Sequence, residues 1–137
     1  MGMDLIGLKP TKKVGVYFRN SIWGWIPLWE YTASECSDIL TKRDITLGGS
    51  NSGHRISRTK ATAIGKRLHS LLRTGKTQAY SKGLRRSSLS RSKAPALVNV
   101  RNVARALGVT AGPPAFSVEN VRAFADFCLA SGGFEIS

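Results

Sequence analysis

The chain has 137 residues, a length typical of one domain, and 42% of them are apolar, enough for a small core. Lys and Arg number 21 against 8 Asp and Glu, a formal net charge of +13 that excludes an acidic tail and favours a polyanionic partner. Two cysteines are too few for a disulfide framework or a zinc site. No apolar run approaches the roughly 18 residues that span a bilayer, and the start lacks a signal-peptide pattern, so we expect a cytoplasmic protein.

The first part of the chain predicts two short strands and a helix. The opening ten residues predict a short strand or an extended arm that ends at Pro10, and the alternation of Val14, Val16 and Phe18 predicts a second strand. Pro27 suits the first turn of a helix that we expect to run to about Thr41.

Three tryptophans, Trp23, Trp25 and Trp29, lie within seven residues. We expect Trp29 in the core, since aromatic side chains dominate the packing of a domain this small. The spacing of Trp23 and Trp25 lets both point the same way if the chain is extended. These two therefore stay open between the core and an aromatic contact with bases or with a protein partner.

The clearest amphipathic helix follows a loop predicted over residues 48–53. Ser57 or Thr59 can cap its start, and Gly75 can end it. The residues on its apolar face are Ala61, Ile64, Leu68, Leu71 and Leu72. Those on the opposite face are Arg58, Lys66, His69 and Arg73, with Lys60 and Arg67 at the flanks.

The rest of the chain predicts a flexible segment, two helices and a last short strand. Residues 81–96 are rich in Ser and Arg and have little to bury, which predicts a flexible loop or an arm that orders on binding. Further helices are expected over 98–109 and from Ser117 to the stop at Gly132. The fold prediction is a single α+β domain over 1–137, with about four helices and short strands near both termini.

All the excess positive charge lies in one block. Residues 54–112 carry fourteen basic side chains and no acidic one. Basic residues also solvate helix faces, but mixed signs serve solubility equally well and avoid self-repulsion. We therefore expect this block to bind nucleic acid or another acidic partner. The candidate contact residues are Arg55, Arg58, Lys60, Lys66, Arg67, Arg73, Arg85, Arg86, Arg91, Lys93, Arg101 and Arg105.

Groups suited to catalysis are scarce. His54 and His69 are the only imidazoles, and neither has a cysteine nearby or a carboxylate at helical spacing. We expect no catalytic residue, no metal site and no cofactor. His69 is expected to be solvated or to face phosphate, and His54 to stabilise a turn.

Both ends of the chain carry a specific pattern, MGMDLIGLKP…GVYFRNSIWGWIPLWEY at the start and FSVENVRAFADFCLASGGFEI at the close. They resemble a family of small uncharacterised proteins of bacteria, prophages and phages, which begin with MG-x-D-x-x-G, YFRN and a tryptophan-rich run to PLW and end in SGGF-x-I. The Gly53–His54 pair also matches a Gly-His loop of that family. The resemblance implies a phage or mobile-element setting and no particular activity. Where those proteins carry further acids after the loop, this chain has RISRTK at residues 55–60.

The sequence thus predicts a non-enzymatic basic protein of a phage or mobile element that binds nucleic acid or a nucleoprotein through residues 54–112. The alternative is an anti-defence inhibitor, similar to anti-CRISPR proteins, that docks on a host defence protein or a ribonucleoprotein complex. Both predictions place the protein in the cytoplasm of a bacterial host, with no membrane partner. A small-molecule enzyme would need a polar pocket, which two histidines and scattered acids do not supply.

Overall fold

The computed structural model describes residues 2–50, 52–91 and 116–137. Its elements in chain order are β1 (Gly2–Gly7), a short 3-10 helix (Lys13–Gly15), β2 (Tyr17–Ser21), α1 (Ile22–Glu35), α2 (Lys42–Gly48), β3 (His54–Ile56), α3 (Arg58–Thr74), α4 (Lys76–Arg91), α5 (Val118–Ser131) and β4 (Phe134–Ile136). The predicted fold class is confirmed: this is a small α+β domain with strands at both ends. The helix predicted over 98–109 lies outside the described residues.

The four strands form one antiparallel sheet in the order β2-β1-β4-β3. Along β1, Met3 and Leu5 are buried, whereas Ile6 is exposed. Alternation of this kind is typical of a sheet that covers a core with one face and meets solvent with the other. The second face is therefore open.

Helix α5 lies between the sheet and α3. Its Phe124 packs edge-on against Phe134 of β4, and its Phe127 contacts Phe18 of β2. On the other side of α5, Gly65 lets α3 approach it closely, because a Cβ at that position would lie 2.7 Å from Cγ of Leu129 in α5. The sheet, α5 and α3 thus form successive layers with the core between them.

The start and end predicted for the first helix are wrong. Helix α1 begins at Ile22, because the Ser21 hydroxyl accepts a hydrogen bond from the Gly24 N–H at 3.2 Å and caps it earlier than Pro27. It ends at Glu35, and a separate α2 follows. The predicted loop over 48–53 therefore begins with the last residue of α2, Gly48.

The predicted second strand starts later than expected. Residues 13–15 form the 3-10 helix, so Val14 and Val16 precede β2 and are exposed. The backbone of this segment lies close to the end of α5, since a Cβ on Gly15 would lie 2.1 Å from the Ala130 carbonyl oxygen. Alternation in the sequence does not reveal such a contact.

The loop predicted over 81–96 is wrong for residues 81–91, which continue α4; residues 92–96 lie outside the described residues. The first turns of α4 are held by the core, because Thr77 is buried and its hydroxyl shares a 2.9 Å hydrogen bond with that of Tyr31. Tyr80 packs against Tyr31 as well. Once a helix is nucleated in this way, Arg and Leu residues extend it at little cost.

The prediction for the central helix is confirmed. Ser57 caps α3, Gly75 ends it in the left-handed conformation with φ of 83°, and the whole predicted apolar face is buried. Helix α5 likewise begins after Ser117 and ends at Gly132. Within the described part of the chain, no helix is both long and apolar enough to cross a membrane.

Candidate nucleic-acid interface

Three cations lie along the outward side of α3. Arg58, Lys66 and Arg73 are exposed, opposite the buried face of the helix, and we call them the basic face. At a helical rise of about 1.5 Å per residue, Lys66 lies about 12 Å and Arg73 about 22 Å along the helix axis from Arg58. Among the described side chains, no carboxylate forms an ion pair with any of the three.

Small side chains separate the first two of these cations. Thr59, Thr62 and Ala63 line a shallow depression together with Arg58 and Lys66. Small neighbours leave the guanidinium and ammonium groups open to a ligand backbone, and Thr hydroxyls add hydrogen-bonding groups of the kind that contact phosphates.

Lys60, a predicted contact residue, is committed to the fold instead. Its Nζ lies 2.5 Å from Oδ2 of the buried Asp44, whose Oδ1 is 2.7 Å from Nε2 of His54. Asp44 also accepts the backbone N–H of Thr41, which completes the capping box of α2. Burial alone would raise the pKa of Asp44, but the hydrogen bonds from Lys60, Thr41 and His54 outweigh it and hold that pKa well below its ordinary value. Asp44, His54 and Lys60 thus form a cluster that joins α2, β3 and α3. His54 therefore links three elements, where we expected it to stabilise a turn.

Arg67 is also used within the fold. Its guanidinium forms two hydrogen bonds with the carboxylate of Asp38, at 2.9 and 3.0 Å, and a third with the Glu35 carbonyl oxygen at 2.6 Å. These bonds tie α3 to the end of α1, and they lower the pKa of Asp38. The paired guanidinium is less available to an external phosphate than an unpaired one.

Two further basic-block residues meet carboxylates. Arg55 lies on the open face of the sheet, where its Nε is 3.9 Å from Oε1 of Glu135 and its side chain is 70% exposed. His69, half-buried on α3, has Nε2 at 2.9 Å from Oδ1 of Asp126 on α5. Arg55 remains accessible to a partner, whereas His69 bridges two helices.

The other predicted contact residues belong to α4 or to the segment after it. Arg85, Arg86 and Arg91 lie within α4, but nothing is shown of their side chains. Lys93, Arg101 and Arg105 lie outside the described residues. Their part in the interface stays a prediction.

The two tryptophans considered as aromatic contacts have opposite environments. Trp25 is fully buried, donates from its indole Nε1 to the Gly48 carbonyl oxygen at 2.8 Å, and stacks on Trp29, so of the two alternatives left open for it the core is the correct one. Trp23 is 56% exposed. Residues two apart on a helix point about 200° away from each other, which separates the pair. Trp29 lies in the core, as predicted.

The described residues contain no group of three or more His, Cys, Asp or Glu side chains placed to hold a metal ion. Both cysteines are buried as free thiols, and burial raises the pKa of Cys36 to about 12 and that of Cys128 well above its ordinary value. A thiol held in this form is a poor nucleophile.

Sequence reasoning missed the acids that neutralise part of the basic block. Asp38, Asp44, Asp126 and Glu135 all lie outside residues 54–112 and reach it through the fold. Only Asp44 had a local signal, since Thr41 followed three residues later by an acid fits a capping box. The other three pairings depend on tertiary contacts.

No protein-family model, no curated protein and no solved structure matches this chain.

Proposed function

We propose that this protein is a non-enzymatic binding protein whose basic face contacts the phosphates of a nucleic acid. The observation that carries the proposal is the division of the cations in and around α3. Lys60 and Arg67 are paired with carboxylates of the same chain, whereas Arg58, Lys66 and Arg73 point outward without a described acidic partner. Like charges on one helix face repel one another, and a polyanion relieves that repulsion.

The geometry suits backbone contact rather than base reading. The basic face extends about 22 Å along a rigid helix, and phosphates advance about 3.4 Å per nucleotide along each strand of a duplex. The three cations are thus far enough apart to contact separate phosphates. Contacts of this kind attract and position a nucleic acid but carry little sequence information.

The biological setting is part of the same proposal. The resemblance of both chain ends to small phage and prophage proteins supports a role in a mobile element, acting in the cytoplasm of a bacterial host. A basic protein of this kind meets DNA and RNA as its most abundant polyanions.

The test is the salt dependence of binding to a short fluorescent DNA duplex, measured by anisotropy between about 50 and 200 mM salt. Each alanine at Arg58, Lys66 or Arg73 should reduce the slope of log K against log salt by about 0.9, and the triple variant by about 2.7, since one phosphate contact is lost each time. Arg43→Ala is the matched control, because Arg43 is exposed on α2. A triple variant with the wild-type slope would exclude the basic face as the contact surface.

A second candidate is the inhibitor that docks on a host defence protein or ribonucleoprotein complex. The exposed Trp23 favours it, since exposed tryptophans are enriched at protein interfaces. This candidate predicts one stoichiometric protein partner that survives nuclease digestion.

A further inference from the structure

Strand β2 forms one edge of the sheet, and its hydrogen-bonding pattern can be assigned residue by residue. Asp4 of β1 exchanges both backbone hydrogen bonds with Ser137, at 3.0 and 2.8 Å, on the side of β4. Antiparallel ladders alternate, so the backbone groups of Met3 and Leu5 point the other way, toward β2. The opposite residues on β2, Asn20 and Phe18, therefore point inward.

The alternation leaves Tyr17 and Arg19 with outward N–H and C=O groups. The Gly7 N–H donates to the Val16 carbonyl oxygen at 3.0 Å, which confirms that Val16, one residue before Tyr17, points inward. Within the described residues, no strand lies beyond β2. Unpaired edge groups of this kind form a template for an added strand.

Apolar side chains border both ends of this edge. Val14, Val16 and Tyr17 are about half-exposed where β2 begins, and Trp23 is exposed in the first turn of α1, just after β2 ends. Folded proteins usually cover apolar side chains beside an unpaired edge or replace them with charges. These side chains offer apolar contacts to a strand that lies along β2.

Basic residues outnumber acidic ones around the edge. Residues 5–29 contain no Asp or Glu, whereas Lys12 and Lys13 precede β2 and Arg19 lies at its centre. The nearest acid is Asp4 on β1, whose carboxylate accepts a hydrogen bond from the Tyr17 hydroxyl and lies 3.6 Å from Nε of Arg19. The Arg19 side chain is 66% exposed, so it can also reach a second carboxylate.

We propose that the outer edge of β2 receives an extended acidic segment of a partner protein as a fifth strand. The N–H groups of Tyr17 and Arg19 donate to carbonyl oxygens of the added strand, and their carbonyl groups accept its N–H groups. Arg19 and the two lysines attract its carboxylates. A second copy of this chain fits less well, because antiparallel pairing centred on Arg19 would place two arginines directly opposite each other.

The first test is amide hydrogen exchange of the free protein, followed by NMR. The amides of Tyr17 and Arg19 should exchange at least about tenfold faster than those of Phe18 and Asn20, which bond to β1. Equal protection that rises with protein concentration would show self-pairing and overturn the proposal. Equal protection independent of concentration would show that the chain covers its own edge, and would overturn it as well.

The second test adds a synthetic peptide of alternating Glu and Val at millimolar concentration. The peptide should slow exchange at Tyr17 and Arg19 by about threefold, as expected for a weakly bound strand. Two controls should have no effect: the same peptide with a central proline, which cannot complete a ladder, and a peptide of alternating Lys and Val. No slowing with the acidic peptide, or equal slowing with either control, would overturn the proposal.

A pair of variants separates the backbone from the charge. Arg19→Thr removes the charge but keeps the N–H, whereas Arg19→Pro removes both, and proline is tolerated on an edge strand where the N–H faces outward. Arg19→Thr should bind the acidic peptide several-fold more weakly than the wild type, and Arg19→Pro should not bind it. Shifts of the Met3 and Leu5 amide signals report whether the β1–β2 ladder is intact in both. Equal peptide binding by the two variants would overturn the strand-addition mode.

Discussion

Asp44 accepts hydrogen bonds from Lys60, His54 and the Thr41 backbone while almost fully buried. Asp44→Asn removes the charge that these donors share, so we expect the free energy of unfolding to fall by about 2–3 kcal/mol, as for the loss of hydrogen bonds to a buried charged acceptor. Urea denaturation measures this loss. Asp38→Asn is the matched control, because Asp38 pairs with Arg67 in solvent and such pairs contribute little. An equal loss for the two variants would contradict the structural role assigned to Asp44.

The same carboxylate predicts a pH dependence of stability. The pKa of Asp44 is well below its ordinary value in the folded protein, so the unfolded chain binds a proton there more readily. Its contribution to stability is complete above about pH 5 and is lost as the pH falls further, since the ordinary pKa of Asp is about 3.9. Between about pH 6 and pH 3 the wild type should lose more stability than Asp44→Asn. Parallel curves for the two proteins would contradict this prediction.

At the scale of elements, two helices end at glycines with the same backbone conformation and different surroundings. Gly75 has φ of 83° and open space around it, whereas Gly132 has φ of 66° and a Cβ there would lie 2.2 Å from the Lys9 carbonyl oxygen. Gly75→Ala should cost about 1 kcal/mol, for the left-handed conformation alone. Gly132→Ala should cost about 2–4 kcal/mol, because displacing the backbone adds to that strain. Comparable urea midpoints for the two variants would show that the close contact at Gly132 adds nothing to the cost of the substitution.

Helix α4 supplies a test of the largest difference between sequence prediction and structure. Gly83 lies in the middle of α4 with nothing near its Cβ position, and its φ is not positive. Gly83→Ala should therefore stabilise the protein by about 0.5–1 kcal/mol and raise the helical signal in circular dichroism. In a flexible loop the same substitution would leave both quantities unchanged, and that result would contradict the helix.

Local signals predicted α3 and α5 well, because capping serines, ending glycines and apolar spacing all lie within each helix. They failed where distant contacts decide. Helix α2 is bonded to α1 by the Trp29 indole, which donates to the Ile45 carbonyl oxygen at 2.9 Å, and α4 is anchored by the bond between Thr77 and Tyr31. Neither contact leaves a pattern in the neighbouring residues.

At the scale of the whole molecule, a run of positive charge in the sequence becomes two sets of cations in the fold. Residues 54–112 hold no acid, yet Lys60 and Arg67 are neutralised by carboxylates that precede the block in the chain. The sequence therefore predicted that the surface is positively charged, but not how many of its cations remain free of acidic partners in the fold. Arg58, Lys66 and Arg73 retain an outward position, and the proposed function depends on them.

Affinity purification from bacterial lysate, with and without nuclease, tests whether the basic face holds a nucleic acid. Wild type and the triple alanine variant of Arg58, Lys66 and Arg73 are compared, and both nucleic acid and protein are identified. We predict that nucleic acid is recovered with the wild type and that the variant recovers several-fold less of it. Equal recovery of nucleic acid by the wild type and the variant would contradict the proposed function.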